Sequence, residues 1–134
     1  MADTTVFELR PIGSLRSALR TLSDAPCQGD EGAPDSWIDI APEYAGALSG
    51  LHAGDAVVVV TWLHLAKRDV LEVHPRGDRR NPLTGVFATR SPHRPNPLGL
   101  HRAIVREIGG GRLRVGPIEA LDGTPVVDLK IALD

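Results

Sequence analysis

The chain has 134 residues, of which 42% are apolar and only 4% aromatic, and its formal net charge is −2. This length is typical of one domain, and the charge excludes the overall basic excess that a strong nucleic-acid-binding protein usually carries. The single cysteine, Cys27, excludes an internal disulfide, and we find neither a signal peptide nor an apolar run long enough to span a membrane. We therefore expect one cytoplasmic domain, residues 1–134, that does not interact with a membrane.

Glycine and proline recur every few residues, which favours short strands joined by turns. The first two predicted strands are Thr5–Ile12 and Ser36–Ile40. Apolar residues at near-helical spacing behind a first-turn proline predict a short helix over Pro42–Leu51. The apolar run Asp55–Trp62 is too short for a helix, and it predicts a strand that is buried on both faces or lies at the centre of a barrel.

The second half of the chain contains only predicted strands and turns. A hairpin turn at Gly109–Gly111 joins two of these strands, because glycine adopts positive φ without strain. The predicted strands are Val70–His74, Gly85–Thr89, Leu98–Ile108, Arg112–Pro117 and Thr124–Leu133. With one brief helix and no alternation of strands and helices, the sequence predicts an all-β barrel or sandwich.

The segment Gly85–Leu100 carries three prolines, at positions 92, 95 and 97. Each fixes its own φ and pushes the preceding residue towards an extended conformation, so the segment is a stiff ribbon. On this ribbon Arg90, Arg94 and Asn96 are groups suited to a carboxylate, a phosphate or a nucleobase. The alternative is a rigid corner of the fold with solvated arginines.

Other site chemistries lack their motifs. The five histidines show no metal-ligand spacing, so we expect no metal site. Gly109–Gly111 lacks the Lys-Ser/Thr pair of a phosphate-binding loop.

Two long motifs resemble those of the TsaA-like family, whose best-known members are the TrmO tRNA methyltransferases. They are GVFATRSPHRPNPLG at residues 85–99 and ALDGTPVVDLK at residues 120–130. Shorter matches occur at Pro26–Gly29 and Trp62–His64. The chain departs from the family pattern at Cys27, at His93 and at Ile131-Ala132, and we expect it to have no counterpart of the C-terminal extension of the longer members.

The resemblance implies a single-sheeted closed β-barrel with one or two short helices, which binds S-adenosylmethionine and forms a homodimer. The reaction that it implies is methylation of N6 of threonylcarbamoyladenosine beside the anticodon of tRNA. Carried over by motif, the implied cofactor-binding residues are Pro26, Cys27, Gln28, His64, Leu65, Arg90, Leu100, Ala120, Leu121, Asp122 and Gly123.

A general base would assist transfer to a poorly nucleophilic, urea-like nitrogen. Asp122 is the first candidate, and His64 and His93 follow as further catalytic candidates. Arg94 and Asn96 are candidates for binding the substrate. Asp122 is also a common turn residue, and a small-molecule acceptor or a module that binds S-adenosylmethionine without catalysis remain alternatives.

Overall fold

The computed structural model describes residues 3–19 and 33–133. Its strands are β1 (Gly13–Arg16), β2 (Ser36–Ile40), β3 (Ala56–Trp62), β4 (Glu72–Val73), β5 (Thr84–Gly85), β6 (Leu98–Gly109), β7 (Arg112–Gly116) and β8 (Pro125–Ile131). Three short 3₁₀ helices span Pro42–Leu48, Pro75–Gly77 and Val86–Ala88. None of the helices in these described ranges is long and apolar enough to cross a membrane.

Six of the strands form a closed barrel in the order β1-β2-β7-β6-β3-β8, and every neighbouring pair is antiparallel. Strands β4 and β5 form a separate two-stranded sheet. The prediction of an all-β closed barrel is confirmed.

The core is aliphatic and follows from alternation along the strands. In β2, Ile38 and Ile40 point into the barrel and Trp37 and Asp39 alternate with them. The other five strands of the barrel and the β7–β8 connection supply the remaining buried apolar side chains of the interior. They are Leu15, Val57, Val59, Ala103, Val105, Leu113, Val115, Ile118, Ala120 and Val126.

Because the strands alternate in direction around the closed barrel, the chain crosses from strand to strand at two ends. At one end the connections are long: they link β3 to β6 (63–97) and β7 to β8 (117–124), and the described ends of the β1–β2 connection, 17–19 and 33–35, lie there too. We call this end the long-loop rim. At the opposite end lie the 3₁₀ helix Pro42–Leu48 and the tight turn at Gly110 and Gly111, both of which have positive φ.

Several sequence predictions of element boundaries need correction. The segment Thr5–Ile12 is not a strand; it is irregular, Val6 and Phe7 are 86% and 84% exposed, and the first strand begins at Gly13. Pro11, which cannot donate a ladder hydrogen bond, stands just before that strand. The predicted helix over Pro42–Leu51 is a 3₁₀ helix that ends at Leu48.

Three strand predictions also need correction. Strand β3 is fully buried on one face only, because its outward residues Val58 and Val60 are half-buried. Of Val70–His74 and Gly85–Thr89, only β4 and the edge residue Gly85 of β5 are strand, and the second segment continues as a 3₁₀ helix.

Gly13 is a position where only glycine fits, which makes closure of the barrel testable. A Cβ at Gly13 would lie against the backbone carbonyl of Asp39 on the paired strand β2, and a backbone atom cannot move aside. We expect Gly13→Ala to lower the free energy of unfolding by about 3 kcal/mol, at the upper end of the usual cost of overpacking. Urea denaturation measures this change.

The matched control is Gly109→Ala at the end of β6, where a Cβ would meet no atom within 4 Å. We expect that variant to stay within about 0.5 kcal/mol of the unaltered protein. Equal stability of the two variants would contradict the close packing of β1 on β2.

Candidate functional site

The motif residues that the sequence singled out converge on the long-loop rim. His64 and Leu65 follow β3 after one intervening residue, Leu100 is the third residue of β6, and Arg90 lies in the connection between those strands. The segment Ala120–Gly123 ends one residue before β8 at the same end, while Pro26, Cys27 and Gln28 lie outside the described residues.

These residues differ in their solvent exposure at the rim. His64, Leu65 and Arg90 are exposed. Leu100 alternates with the buried Gly99 and His101, so its side chain faces outward and is 53% exposed. Ala120 and Leu121 are buried, and of the residues in this turn Asp122 and Gly123 are the accessible ones.

The Arg/Pro/Asn-rich loop is held by Arg94 as well as by its prolines. The Arg94 guanidinium donates to the backbone carbonyls of Val86 (2.8 Å), Ser91 (3.1 Å) and Thr89 (3.3 Å). The Val86 carbonyl also accepts the backbone N–H of Thr89. Arg94, which the sequence suggested as a substrate-binding residue, thus organises the interior of its own loop.

A second set of hydrogen bonds fastens this loop to the segment that follows β3. The backbone N–H of Lys67 donates to Nδ1 of His93 (3.0 Å), and the N–H of Arg94 donates to the carbonyl of Lys67 (3.0 Å). Nδ1 of His93 therefore accepts and carries no hydrogen in this arrangement.

Arg68 completes that fastening. Its guanidinium donates to the Pro95 carbonyl (2.6 Å) and to Oδ1 of Asn96 (3.0 Å), and it lies 5.0 Å from the centre of the Trp62 ring. Asn96 therefore uses its carboxamide oxygen to hold Arg68, and cation–π attraction adds to the contact.

Arg90 is held much more loosely than Arg94. Among residues 3–19 and 33–133, its one hydrogen bond is a 3.5 Å contact with the Leu100 carbonyl, which is at the upper limit of hydrogen-bond distances. The exposed Arg90 guanidinium is thus available to a ligand at the rim.

The turn before β8 is built by Asp122 and Thr124. Oδ1 of Asp122 accepts the N–H of Ser17 (3.0 Å), and the Asp122 N–H donates to the Leu19 carbonyl (2.7 Å). Gly123 has φ +83° and the Thr124 hydroxyl donates to the Leu121 carbonyl (2.6 Å), as a tight turn requires. Asp122 therefore joins the turn to the end of β1.

In residues 3–19 and 33–133, all the buried polar residues lie beneath this rim. They sit at the rim ends of their strands or directly beside them, and they are Ser17, Ser36, Thr61, His101 and Thr124. The Ser36 hydroxyl is buried and has no hydrogen-bond partner among residues 3–19 and 33–133. The barrel interior is thus aliphatic below and polar under the rim.

Sequence reasoning missed one feature of this polar layer, the contact of His101 with Glu119 and Thr61. Nδ1 of His101 lies 2.6 Å from Oε1 of Glu119, and its Nε2 lies 2.7 Å from Oγ1 of Thr61. Alternation along the predicted strand Leu98–Ile108 could have placed His101 on the inner face with Gly99 and Ala103.

The connection from β3 to β6 is basic although the whole chain is acidic. Residues 63–97 contain seven Lys or Arg and three Asp or Glu, whereas the chain carries a net charge of −2. Within this connection Arg80 hydrogen-bonds Asp78 and lowers the pKa of that carboxyl below its ordinary value. Arg76 and Arg79 are exposed beside this pair.

Neither a metal centre nor a deep cavity dominates the described part of the chain. Residues 3–19 and 33–133 hold no group of three His, Cys, Asp or Glu side chains that could bind a metal ion. A shallow depression of about 430 Å³ opens at the opposite end of the barrel, between the 3₁₀ helix Pro42–Leu48 and the Gly109–Gly111 turn.

Two archaeal relatives match nearly the whole chain. A protein of Methanothermobacter thermautotrophicus named "Probable S-adenosyl-L-methionine-binding protein" is 48% identical over 130 residues, which are 97% of this chain and 92% of that protein. An "S-adenosyl-L-methionine-binding protein" of Archaeoglobus fulgidus is 43% identical over 122 residues, which are 91% of this chain and 86% of that protein.

The fold matches crystal structures of TrmO. The match to TrmO from Pseudomonas aeruginosa has a TM-score of 0.78 at 30% sequence identity and covers 98% of this chain, but only 58% of the TrmO chain. The present chain thus spans little more than half the length of that structure. The family model described as the tRNA-methyltransferase O N-terminal domain matches residues 14–133. The chain belongs to the TrmO N-terminal domain family.

Proposed function

We propose that this protein is an S-adenosylmethionine-dependent methyltransferase whose active site is the long-loop rim. The observation that carries the proposal is the convergence of His64, Leu65, Arg90, Leu100 and the Ala120–Gly123 turn at one end of the barrel. The names of the archaeal relatives support the cofactor, and the likeness to TrmO supports methyl transfer.

The side chains at the rim fit S-adenosylmethionine. Leu65 and Leu100 are 52% and 53% exposed, and they offer apolar surface to a flat adenine ring. The loosely held Arg90 can donate two parallel hydrogen bonds to the carboxylate of the methionine portion. When bound, the cofactor supplies an electrophilic methyl group on a sulfonium.

The protein contributes mainly alignment to such a reaction. The acceptor atom has to lie behind the S–CH₃ bond, and a rigid site that holds both partners lowers the barrier through proximity. The loop around Arg94 is stiff because the Arg94 guanidinium binds carbonyls within the loop. Hydrogen bonds from Arg68 to the Pro95 carbonyl and from the Arg94 N–H to the Lys67 carbonyl fasten it to the segment after β3.

We propose as methyl acceptor the N6 atom of threonylcarbamoyladenosine beside the anticodon of tRNA. The basic connection 63–97 favours a polyanionic partner, because cationic side chains displace counterions from phosphates. The net charge of −2 favours a small-molecule acceptor instead, and the relatives' names, which state only binding, fit a non-catalytic binding module as a second alternative.

We also propose that the protein forms a homodimer through the outer face of β3 and β6. Val58 and Val60 of β3 and Ile104 of β6 are half-buried there, and Leu98 at the start of β6 is 41% exposed. These apolar side chains lie on neighbouring antiparallel strands, with Arg102 opposite Val58, and a second copy can cover them.

Transfer of a labelled methyl group separates the three functional alternatives. We expect the purified protein, incubated with methyl-labelled S-adenosylmethionine, to label bulk tRNA that contains threonylcarbamoyladenosine. The control is the same tRNA without that modification. Label only in a metabolite extract would favour the small-molecule acceptor, and tight binding without any transfer would contradict a methyltransferase.

Substitution of Arg90 should affect cofactor binding, whereas substitution of Arg94 should affect stability. We expect Arg90→Ala to weaken the affinity for S-adenosylmethionine at least tenfold in calorimetry and to leave the melting temperature unchanged, because the side chain is exposed and loosely held.

Arg94→Ala is the contrasting variant, because it removes the donor from three carbonyls of the loop. We expect a loss of about 1–3 kcal/mol in the free energy of unfolding. Unchanged cofactor affinity in Arg90→Ala would reject the role of that side chain.

Dimerisation can be tested with a charge on the proposed interface. Val58 faces Arg102 on β6 and Lys130 on β8, so a carboxylate at this position meets cations within its own barrel and the fold should tolerate it. We expect sedimentation velocity to show a dimer for the unaltered protein and a monomer for Val58→Glu. Val6→Glu in the exposed N-terminal segment is the control, and a monomeric unaltered protein at tens of micromolar would refute the proposal.

A further inference from the structure

A buried hydrogen-bonded chain leads from the barrel interior to the long-loop rim. His101 on β6 is 5% exposed and connects Thr61 of β3 with Glu119 of the β7–β8 connection. A carboxylate only accepts, so the 2.6 Å contact assigns the hydrogen to Nδ1 of His101, which donates to Oε1 of Glu119. The Thr61 hydroxyl then donates to Nε2, and both ring nitrogens are satisfied.

The space for this chain depends on Gly99. A Cβ at Gly99 would lie 2.5 Å from Oγ1 of Thr61 and 2.6 Å from Nε2 of His101. Any larger residue would displace the imidazole or the Thr61 hydroxyl, so glycine at this position leaves the room that the contact needs. A buried ring with both nitrogens engaged is a rigid support for the carboxylate that it holds.

Glu119 is held through one carboxylate oxygen, and its side chain is partly exposed. Its side chain is 22% exposed and directly precedes the Ala120–Gly123 turn. Apart from the contact of Oε1 with His101, it has no hydrogen bond to any of residues 3–19 and 33–133. Oε2 is therefore the carboxylate oxygen that His101 leaves for a ligand.

The other candidate bases have structural roles or lack an orienting contact. The Asp122 carboxylate accepts the N–H of Ser17 and so ties the turn before β8 to the end of β1, and Nδ1 of His93 accepts the N–H of Lys67 and fastens its loop. His64 is exposed, and no side-chain hydrogen bond to the described residues orients its ring. A general base has to be held within hydrogen-bond reach of the proton that it removes.

We propose that Glu119 is the general base of the methyl transfer and that His101 and Thr61 position it. The inference rests on the proposed methyltransferase function. In the transfer step the acceptor nitrogen forms a bond to the methyl carbon as the S–CH₃ bond breaks, and the electron pair of that bond stays on sulfur. The proton of the nitrogen passes to Oε2 of Glu119 and then to water, and neutral S-adenosylhomocysteine leaves.

The test compares Glu119→Gln with Glu43→Gln. The amide oxygen of glutamine can still accept from His101, so the support is kept while the base is removed. We expect the single-turnover rate on tRNA carrying threonylcarbamoyladenosine to fall by about 10²–10⁴-fold. The dissociation constant of S-adenosylmethionine should stay within threefold. Glu43, in the 3₁₀ helix at the opposite end of the barrel, should show no change in either quantity.

Chemical rescue distinguishes a base from a structural residue. In Glu119→Ala the space of the carboxylate is empty, and we expect added formate to raise the rate at least tenfold, with little effect on Glu119→Gln, whose amide fills that space. This measurement also covers the case in which Glu119→Gln does not fold.

Three results would overturn the proposal, and they differ from one another. A rate within threefold of normal in Glu119→Gln would show that Glu119 is not the general base, and it would leave the methyltransferase function in place. A fall in cofactor affinity above tenfold would make it a binding residue. If the unaltered protein transfers no methyl group to tRNA or to a metabolite extract, the methyltransferase function itself fails.

Discussion

Closure of the barrel by antiparallel strands is the constraint on which the other features depend. When six strands alternate in direction around a ring, successive connections lie at opposite ends. Here the long connections 63–97 and 117–124 and the described ends of 17–35 share one end. Gly13 allows β1 to approach β2 closely enough to complete the ring. Motifs that are far apart in the sequence are thereby brought to one rim.

The rigidity of the rim comes from hydrogen bonds that satisfy backbone carbonyls. Prolines at 92, 95 and 97 restrict the chain locally, but they also leave carbonyls without the partners that regular structure would supply. Arg94 provides such partners from within the loop, and Arg68 provides them from the segment that follows β3. Arg90 and Arg94, the two arginines of the motif at residues 85–99, thus have different roles: Arg94 holds the loop and Arg90 faces outward.

The polar layer under the rim suggests why a barrel of this size can hold a site. Most of the interior is aliphatic and supplies the hydrophobic stabilisation. At the rim end, buried hydroxyls and the imidazole of His101 replace aliphatic side chains, and these need hydrogen-bond partners. Glu119 is such a partner, and its position links the core to the surface.

Much of the fold could be predicted from local pattern, and the site only in part. Alternation placed β2 at its observed bounds and β6, β7 and β8 within two residues, and three glycines marked the hairpin turn. The segment Thr5–Ile12 has strand-forming residues, yet whether a segment pairs depends on a partner that local sequence does not reveal. The motifs identified Arg90 and Asp122, whereas the Glu119–His101 contact joins residues 18 positions apart and needed the closed barrel.

Amide hydrogen exchange with and without S-adenosylmethionine tests most directly whether the long-loop rim is the binding site. We expect slower exchange at residues 63–67, 89–100 and 117–124 when the cofactor is present, and no change at residues 41–55 or at the Gly109–Gly111 turn. Protection confined to the opposite end of the barrel, around the depression beside Pro42–Leu48, would contradict the assignment.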